Sequence, residues 1–177
     1  MTSESDRDSA PTARSDGAED TGVFVAETDA ERDDAFTVRR SVFVDEQGVD
    51  PGIEYDEYDE PDADATHFVA YADGEPIGAA RLRPAGEAAS AEPVDGPVGK
   101  VERVAVAADS RGDGWGRRLM DAVEARAREE GFDELTLHAQ THVREFYERL
   151  RYEAYGAEFE EAGIPHVAME KELDGDA

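Results

Sequence analysis

Cysteine is absent from this chain of 177 residues. Its absence excludes disulfide bonds, zinc sites built from thiolates and any reaction that proceeds through an acyl-cysteine intermediate. The spacing of the four histidines matches none of the usual zinc patterns, so no metal is expected; they are His67, His138, His142 and His166. No apolar run approaches the length that a membrane-spanning helix requires.

Positive charge is also scarce. Lysine and arginine together number 18 against 45 acidic residues, which gives a formal net charge of −27. Binding to nucleic acid needs a basic face, and the sequence shows none. Such an excess of acid destabilises a folded chain through self-repulsion, which molar salt screens. The composition therefore favours a halophilic protein of archaeal type over an ordinary acidic enzyme.

Large apolar side chains are almost missing from residues 1–22, which are rich in Ser, Asp, Glu and Ala. This segment is predicted to be a disordered acidic tail. It has neither the basic start nor the apolar stretch of a signal peptide, so a cytoplasmic location is expected. Residues 23–177 are long enough for one domain with a proper core.

Apolar periodicity along residues 23–177 predicts the order β-α-β-β-β-α-β-α-β-β. This order indicates an α/β fold with a single mixed sheet flanked by helices. Asp73-Gly74 predicts a hairpin, and a second turn is predicted at Gly163-Ile164-Pro165. Residues 84–96 are predicted to be a flexible connection. The acidic stretch of residues 54–64 is expected mainly to form a solvated face, with recognition of a cationic amine as the alternative.

Three glycines in five positions mark a turn between an alternating segment and a helical one, in the sequence Arg111-Gly112-Asp113-Gly114-Trp115-Gly116. Without side chains, successive backbone N–H groups can point at one anion, and the start of the helix adds partial positive charge. Arg117 and Arg118 follow directly. The stretch matches neither G-x-G-x-x-G nor G-x-x-x-x-G-K-[ST]. A ligand the size of a pyrophosphate is its natural occupant; the alternative is a simple tight turn.

The same turn matches R/Q-x-x-G-x-G/A, the coenzyme A pyrophosphate loop, and so the chain resembles the GNAT (GCN5-related N-acetyltransferase) superfamily. Phe146-Tyr147-Glu148-Arg149-Leu150-Arg151-Tyr152 is similar to the next motif of that superfamily. Residues 40–47, 137–140 and 163–166 resemble its ElaA-like branch, whose members are mostly of unsettled substrate. Arg151 stands where the motif usually has glycine, so an altered turn is expected there.

The resemblance implies a fold whose two central parallel strands splay apart to admit acetyl-CoA as the acyl donor. It also implies direct transfer to an amine in a ternary complex, with no covalent enzyme intermediate. The residues expected to bind the donor are Val104, Ala105, Val106, Arg111, Gly112, Asp113, Gly114, Trp115, Gly116 and Arg117. The first three would contact the pantetheine arm, one backbone N–H there would polarise the thioester carbonyl, and the glycine turn would hold the pyrophosphate.

The motif implies that Tyr147 is the general acid that protonates the departing thiolate. A phenol suits this role because it remains protonated at neutral pH. The alternative is a core tyrosine, since Tyr147 shares a helical stripe with apolar residues. Glu102 is the candidate general base. A strand period of two would place it on the face of Val104 and Val106, opposite Arg103. A surface role for Glu102, or a water chain as base, stays open.

Six residues are candidates for contact with the acceptor: Arg40, Glu46, Gln47, His67, His138 and His166. Histidine as a residue type can act as an acid or base near neutral pH, but structural or substrate-orienting roles are preferred for His138 and His166. The acceptor itself, whether a small molecule or a protein amine, is not specified by these residues. Two other functions stay open, a non-enzymatic acyl-CoA sensor and an enzyme like the acyl-homoserine-lactone synthases. Pairing of strand edges near the C-terminus into a homodimer is a further hypothesis.

Overall fold

The computed structural model describes residues 21–85 and 96–173. Most of the tail predicted for residues 1–22, and most of the connection predicted for residues 84–96, lie outside the described residues. Within the described part of the chain, no helix is both long and apolar enough to cross a membrane.

The described residues form one sheet of seven strands in the order β1-β2-β3-β4-β5-β7-β6. The strands are β1 (Gly22–Val25), β2 (Thr66–Ala72), β3 (Glu75–Pro84), β4 (Val98–Val106), β5 (Glu134–Gln140), β6 (Glu153–Glu161) and β7 (Ile164–Glu172). Only the β4–β5 pair is parallel, and the other neighbours are antiparallel. The α/β class, the single mixed sheet and the predicted order of elements are confirmed.

The α-helices are α1 (Asp29–Arg39), α2 (Pro51–Glu54), α3 (Trp115–Glu129) and α4 (Arg144–Arg149). A π-helical segment, Arg40–Glu46, continues α1 directly. Helix α1 begins at a capping box, in which Thr28 and Glu31 satisfy each other's backbone N–H groups. Helix α3 ends before Gly131, whose φ of +89° is the left-handed conformation expected of a C-terminal glycine.

The two faces of the sheet are covered by different helices. One face packs against α3, and its core includes Phe68, Leu82, Val101, Leu119 and Leu137. The other face packs against α1 through a smaller apolar cluster with Val38, Val42 and Val69. We call these the α3 face and the α1 face. Since side chains alternate along a strand, neighbouring residues of β2–β5 point to opposite faces.

Two of the turns differ in detail from the sequence prediction. The β6–β7 hairpin turns at Ala162 and Gly163, both with positive φ, and Ile164 already belongs to β7. The predicted turn is therefore one residue too late. Arg151 has a φ of +78°, so it adopts the left-handed conformation that glycine takes easily. The turn after α4 thus keeps a glycine-like backbone although arginine replaces glycine, and the expected alteration of the turn is not observed.

Candidate functional site

A gap opens in the middle of the sheet, between the carboxyl ends of β4 and β5. The two strands pair from Val98 opposite Glu134 to Val101 opposite Leu137, and no further pair joins them in the described strands. β4 nevertheless continues to Val106 along β3, and β5 continues to Gln140 along β7. The facing backbone edges of residues 104–106 and 138–140 therefore have no strand partner and can pair with an extended ligand, except at the Val106 carbonyl oxygen, which accepts a hydrogen bond from Arg111.

A β-bulge at Arg103 changes which way the end of β4 faces. Arg103 has a φ of +59°, and the register between β3 and β4 shifts between Ala79 and Arg81. Because the bulge inserts one residue, the alternation of side chains reverses beyond it. Val104 packs against the α3 core, whereas Glu102 contacts arginines on the α1 face. The predicted common face of Glu102 with Val104 and Val106, opposite Arg103, is wrong for this reason.

The glycine turn lies just beyond the carboxyl end of β4 and leads into α3. Gly112 and Gly114 both have a φ of +87°, and a Cβ atom at either would meet no described atom within 4 Å. Gly114 is the N-cap of α3, whose first turn has no side-chain cap and no acidic residue in the described structure. The N-terminal amides of α3 are therefore available to an anion. The Arg118 guanidinium lies over the Trp115 ring, 4.2 Å from its centroid.

Arg111 connects this turn to the π-helical segment. Its guanidinium donates two hydrogen bonds of 2.7 Å to the Glu46 carboxylate and one of 2.8 Å to the carbonyl oxygen of Val106. The hydrogen bond from Arg111 lowers the pKa of Glu46. A residue predicted to bind the donor is thus joined to one predicted to contact the acceptor. Arg117, next to the turn, is exposed.

Gln47, which directly follows the π-helical segment, contacts β5, the strand on the other side of the gap from β4. Its side-chain amide and that of Gln140, at the end of β5, exchange hydrogen bonds of 2.8 and 3.3 Å. This pair links the segment after α1 to β5. The gap is consequently bordered on the α1 face by Glu46 and Gln47, both predicted as acceptor contacts.

Tyr147 lies on α4, in the core of the α3 face. Its ring makes edge contacts with Phe146 and Tyr152, at centroid distances of 4.9 and 5.9 Å. Burial raises the pKa of Tyr147, so the phenol remains protonated over a wide pH range. Burial is the one cause that shifts this pKa, and no hydrogen bond to the hydroxyl is seen in the described structure. The ring packs as a core residue, and the role of the hydroxyl as general acid stays a prediction.

Glu102 is held by arginines. Its carboxylate accepts hydrogen bonds from Arg81 and Arg83, with the shortest contact at 2.5 Å. Burial alone would raise the pKa of Glu102, but the hydrogen bond from Arg83 and the charge of Arg81 lower it to about 2. A carboxylate with so low a proton affinity is a weak general base near neutral pH. The role of Glu102 as general base stays a prediction, and its contacts with Arg81 and Arg83 argue against that role.

A buried set of ion pairs on the α1 face is the main feature that the sequence reasoning missed. We call it the charge network, and it consists of Arg39, Glu54, Asp56, Asp59, Arg81, Arg83, Glu102 and Arg103. Arg39 and Arg81 are almost fully buried. The stretch expected to be a solvated face supplies Glu54, Asp56 and Asp59, and that expectation is wrong for the buried Glu54 and Asp59, whereas Asp56 is 34 % exposed.

The charge network joins α1, the loop around α2, and strands β3 and β4. Arg39 donates to Glu54 at 2.6 Å and to Asp59 at 2.7 and 2.8 Å. Arg81 donates to Asp59 at 3.0 Å, and Arg103, at the bulge, donates to the backbone carbonyl of Glu54. The network therefore fixes the loop before β2 against the bulged strand that borders the gap.

His67 is buried and Arg40 is exposed, and no observed contact places either residue at the gap between β4 and β5. His67 is 6 % exposed, with its ring edge-on to Phe36 and Nε2 at 3.8 Å from Asp59. Burial is the main cause that lowers its pKa to about 4. Its Nδ1 is buried without a hydrogen-bond partner in the described structure. Arg40 is exposed, whereas its neighbour Arg39 enters the charge network.

His138 and His166 lie together on the α1 face of β5 and β7. The ring of Phe159, from β6, contacts His138 edge-on at 4.9 Å and stacks on His166 at 6.0 Å. His138 Nδ1 lies 2.8 Å from the Glu161 carboxylate. His166 is buried, with its Nδ1 2.7 Å from the carbonyl oxygen of Ile164. Phe159 and Glu161 were not predicted, because only the hairpin register brings them to these histidines.

The sequence profile of the acetyltransferase (GNAT) domain matches residues 27–173. A Bacillus subtilis (strain 168) protein named only as a candidate acetyltransferase is 39 % identical over 140 residues, which cover 79 % of this chain and 88 % of that protein. The crystal structure of a candidate N-acetyltransferase from Lactobacillus plantarum has a TM-score of 0.75 and 30 % identity, covering 86 % of this chain and 98 % of the other. The Escherichia coli ElaA structure superposes with a TM-score of 0.69 at 24 % identity over 86 % and 99 % of the two chains. These organisms are bacterial, so the expected archaeal source is not supported.

Proposed function

Since the chain belongs to the GNAT acetyltransferase family, we propose that it transfers an acetyl group from acetyl-CoA to an amine by direct attack in a ternary complex. The family makes it an N-acetyltransferase. The observation that carries the proposal is the gap between β4 and β5 with the uncapped start of α3 beside it. Acetyl-CoA is made and used inside cells, so we place the reaction in the cytoplasm.

The donor would lie along the gap. The free backbone edge of Val104–Val106 would pair with the pantetheine arm, and one N–H there would polarise the thioester carbonyl. The N–H groups from Gly112 to Gly116 would bind the pyrophosphate, because Gly112 and Gly114 leave the turn open and α3 begins there. Arg111 brings a positive charge to the turn, although its guanidinium also pairs with the Glu46 carboxylate.

Tyr147 would protonate the departing thiolate. Its phenol is neutral and otherwise unengaged in the described structure, which suits a donor that acts only as sulfur acquires charge. The acceptor would enter from the α1 face, where Glu46, Gln47 and Gln140 border the gap. As the amine nitrogen bonds to the carbonyl carbon, the carbon–sulfur bond breaks and the sulfur takes the phenolic proton.

Titration calorimetry with acetyl-CoA, followed by a CoA-release assay over a panel of amines, tests this function. We expect binding, and CoA release that depends on an amine. Binding without release on any amine would instead indicate an acyl-CoA sensor. Release that requires S-adenosylmethionine would indicate chemistry of the acyl-homoserine-lactone-synthase kind. Absence of acetyl-CoA binding would contradict the proposal itself.

A further inference from the structure

We propose that His138 is the general base that takes the proton from the attacking amine, and that Glu161 is the positioning residue that fixes the tautomer of its imidazole. This inference rests on the proposed function, whose base is otherwise unassigned.

His138 lies where the sheet opens. Leu137 is the last β5 residue paired with β4, so His138 is the first β5 residue beyond the junction. Leu137 and Ala139 belong to the α3-face core, together with Tyr147. By alternation, His138 points to the α1 face. The candidate acid and the candidate base therefore lie on opposite faces of the gap, as required when the amine enters from one side and the thiolate leaves on the other.

The contacts of the ring define its tautomer. An ionised carboxylate only accepts hydrogen bonds, and the hydrogen bond with His138 is the main cause that lowers the pKa of Glu161. Nδ1 of His138 therefore carries the hydrogen that it donates to Glu161 at 2.8 Å. Nε2 keeps its lone pair, and the described residues offer it no hydrogen-bond partner. This is the arrangement in which a carboxylate orients a histidine base.

The ring is held in place but remains accessible. Phe159 packs edge-on against His138 and is itself stacked on the buried His166. The side chain of His138 is 30 % exposed, so an acceptor can reach Nε2. Titratable groups on the neighbouring strands surround this pair: His166 of β7 and Lys100 of β4 both act on Glu161 of β6, and Lys100 lies 3.6 Å from Glu102.

The other titratable groups are less suitable. Glu102 is occupied by Arg81 and Arg83, which keep it ionised and weakly basic. His67 is buried and lies against Asp59 in the charge network. His166 is buried and has its Nδ1 committed to the backbone of its own hairpin. His138 alone, among these candidates, combines access, orientation and a place at the gap.

In the step itself, the amine nitrogen forms a bond to the acetyl carbon and gives one N–H proton to Nε2 of His138. The imidazolium that results is stabilised by the Glu161 carboxylate. The carbon–sulfur bond then breaks, and Tyr147 supplies the proton to sulfur. The imidazolium then returns its proton through solvent to the Tyr147 phenolate, so both side chains are restored and the products are the amide and free CoA.

Nuclear magnetic resonance of the histidine side chains tests the positioning step without any acceptor. In the neutral protein, we expect the ¹⁵N spectrum of His138 to show a protonated Nδ1 and a bare Nε2. In Glu161→Gln, the preference for the tautomer with hydrogen on Nδ1 should weaken, because an amide offers a donor as well as an acceptor at that position. A protonated Nε2 in the unmodified protein, or a tautomer unaffected by Glu161→Gln, would overturn the role of Glu161.

Kinetics test the base. With the panel amine that gives the fastest CoA release, His138→Gln should lower kcat by about 10²-fold or more, which is the usual contribution of a general base. Glu161→Gln should lower kcat with that amine and leave the KM for acetyl-CoA unchanged, because it disturbs the orientation of the base and not the donor site. His142→Gln, at an exposed histidine just after β5, is the matched control.

The outcomes separate the two proposals. If the unmodified protein releases CoA and His138→Gln matches His142→Gln on every amine, the base assignment is wrong while the proposed function stands. If the unmodified protein binds acetyl-CoA but none of the amines tested causes CoA release, the proposed function fails and the base assignment fails with it.

Discussion

Replacing Arg39 by methionine removes the central cation of the charge network at nearly constant side-chain length. Arg39 is 1 % exposed and donates to Glu54 and Asp59, at distances between 2.6 and 2.9 Å. Removing one partner of such a buried pair typically costs about 3–5 kcal/mol, because charge is left unpaired. Asp59 keeps Arg81 at 3.0 Å, so we expect the lower end, about 3 kcal/mol.

Arg40→Met is the matched control, because the adjacent arginine is exposed and lies outside the network. We expect it to change the free energy of unfolding by about 0.5 kcal/mol or less. Urea denaturation at one fixed KCl concentration measures both variants, followed through the fluorescence of Trp115, the single tryptophan. If the two variants differ by less than about 1 kcal/mol, the buried network does not stabilise the fold as argued.

Three further predictions concern pH, catalysis and salt. Burial alone would raise the pKa of Asp59, but Arg39 and Arg81 lower it from 3.8 to about 2. The stability that ionised Asp59 contributes, about 2 kcal/mol, should therefore be lost as the pH falls from about 4 to 2. Asp59→Asn should flatten this part of an acid-unfolding curve, and an unchanged curve would refute the assignment. Tyr147→Phe should bind acetyl-CoA normally yet lose about 10²-fold in kcat, and turnover near that of the unmodified protein would show a purely structural ring. The net charge of −27 predicts a melting temperature that rises between dilute buffer and molar KCl, whereas a flat or falling response in calorimetry would exclude salt adaptation.

The glycine turn and its helix could be predicted because local rules determine them. Three glycines after an alternating segment predict a strand, a bare turn and a helix start, and the structure has all three. The hairpin at Asp73-Gly74 is confirmed for the same reason, since both residues have positive φ. Such signals involve only neighbouring residues.

The bulge and the charge network could not be predicted so easily. No glycine or proline marks the bulge at Arg103, and the bulge reverses the alternation on which the placement of Glu102 depended. Arg39 did carry a signal, because it shares a helical stripe with Ala35, Val38 and Val42. A charge on an apolar stripe requires a buried partner. The partners themselves come from a loop whose position only the tertiary structure reveals.

The pairing of His138 with Glu161 depends on register over three strands. β5 pairs with β7, and β7 with β6, where a register shift lies between Tyr155 and Phe159. One residue of slip would move Glu161 to the other face. Sequence reasoning named both histidines of this face but had no means of finding the carboxylate.

Calorimetric titration of acetyl-CoA into Gly114→Ala and Gly131→Ala tests the central claim most directly. The two glycines lie at opposite ends of α3, with φ of +87° and +89°, and an added Cβ meets no described atom within 4 Å at either. Both substitutions therefore impose a similar backbone strain, but only Gly114 lies where the amides would meet a pyrophosphate. We predict that Gly114→Ala raises Kd by about tenfold or more, a loss of about 1.4 kcal/mol, while Gly131→Ala leaves it unchanged. Equal Kd values for the two variants would contradict binding of the donor at this turn.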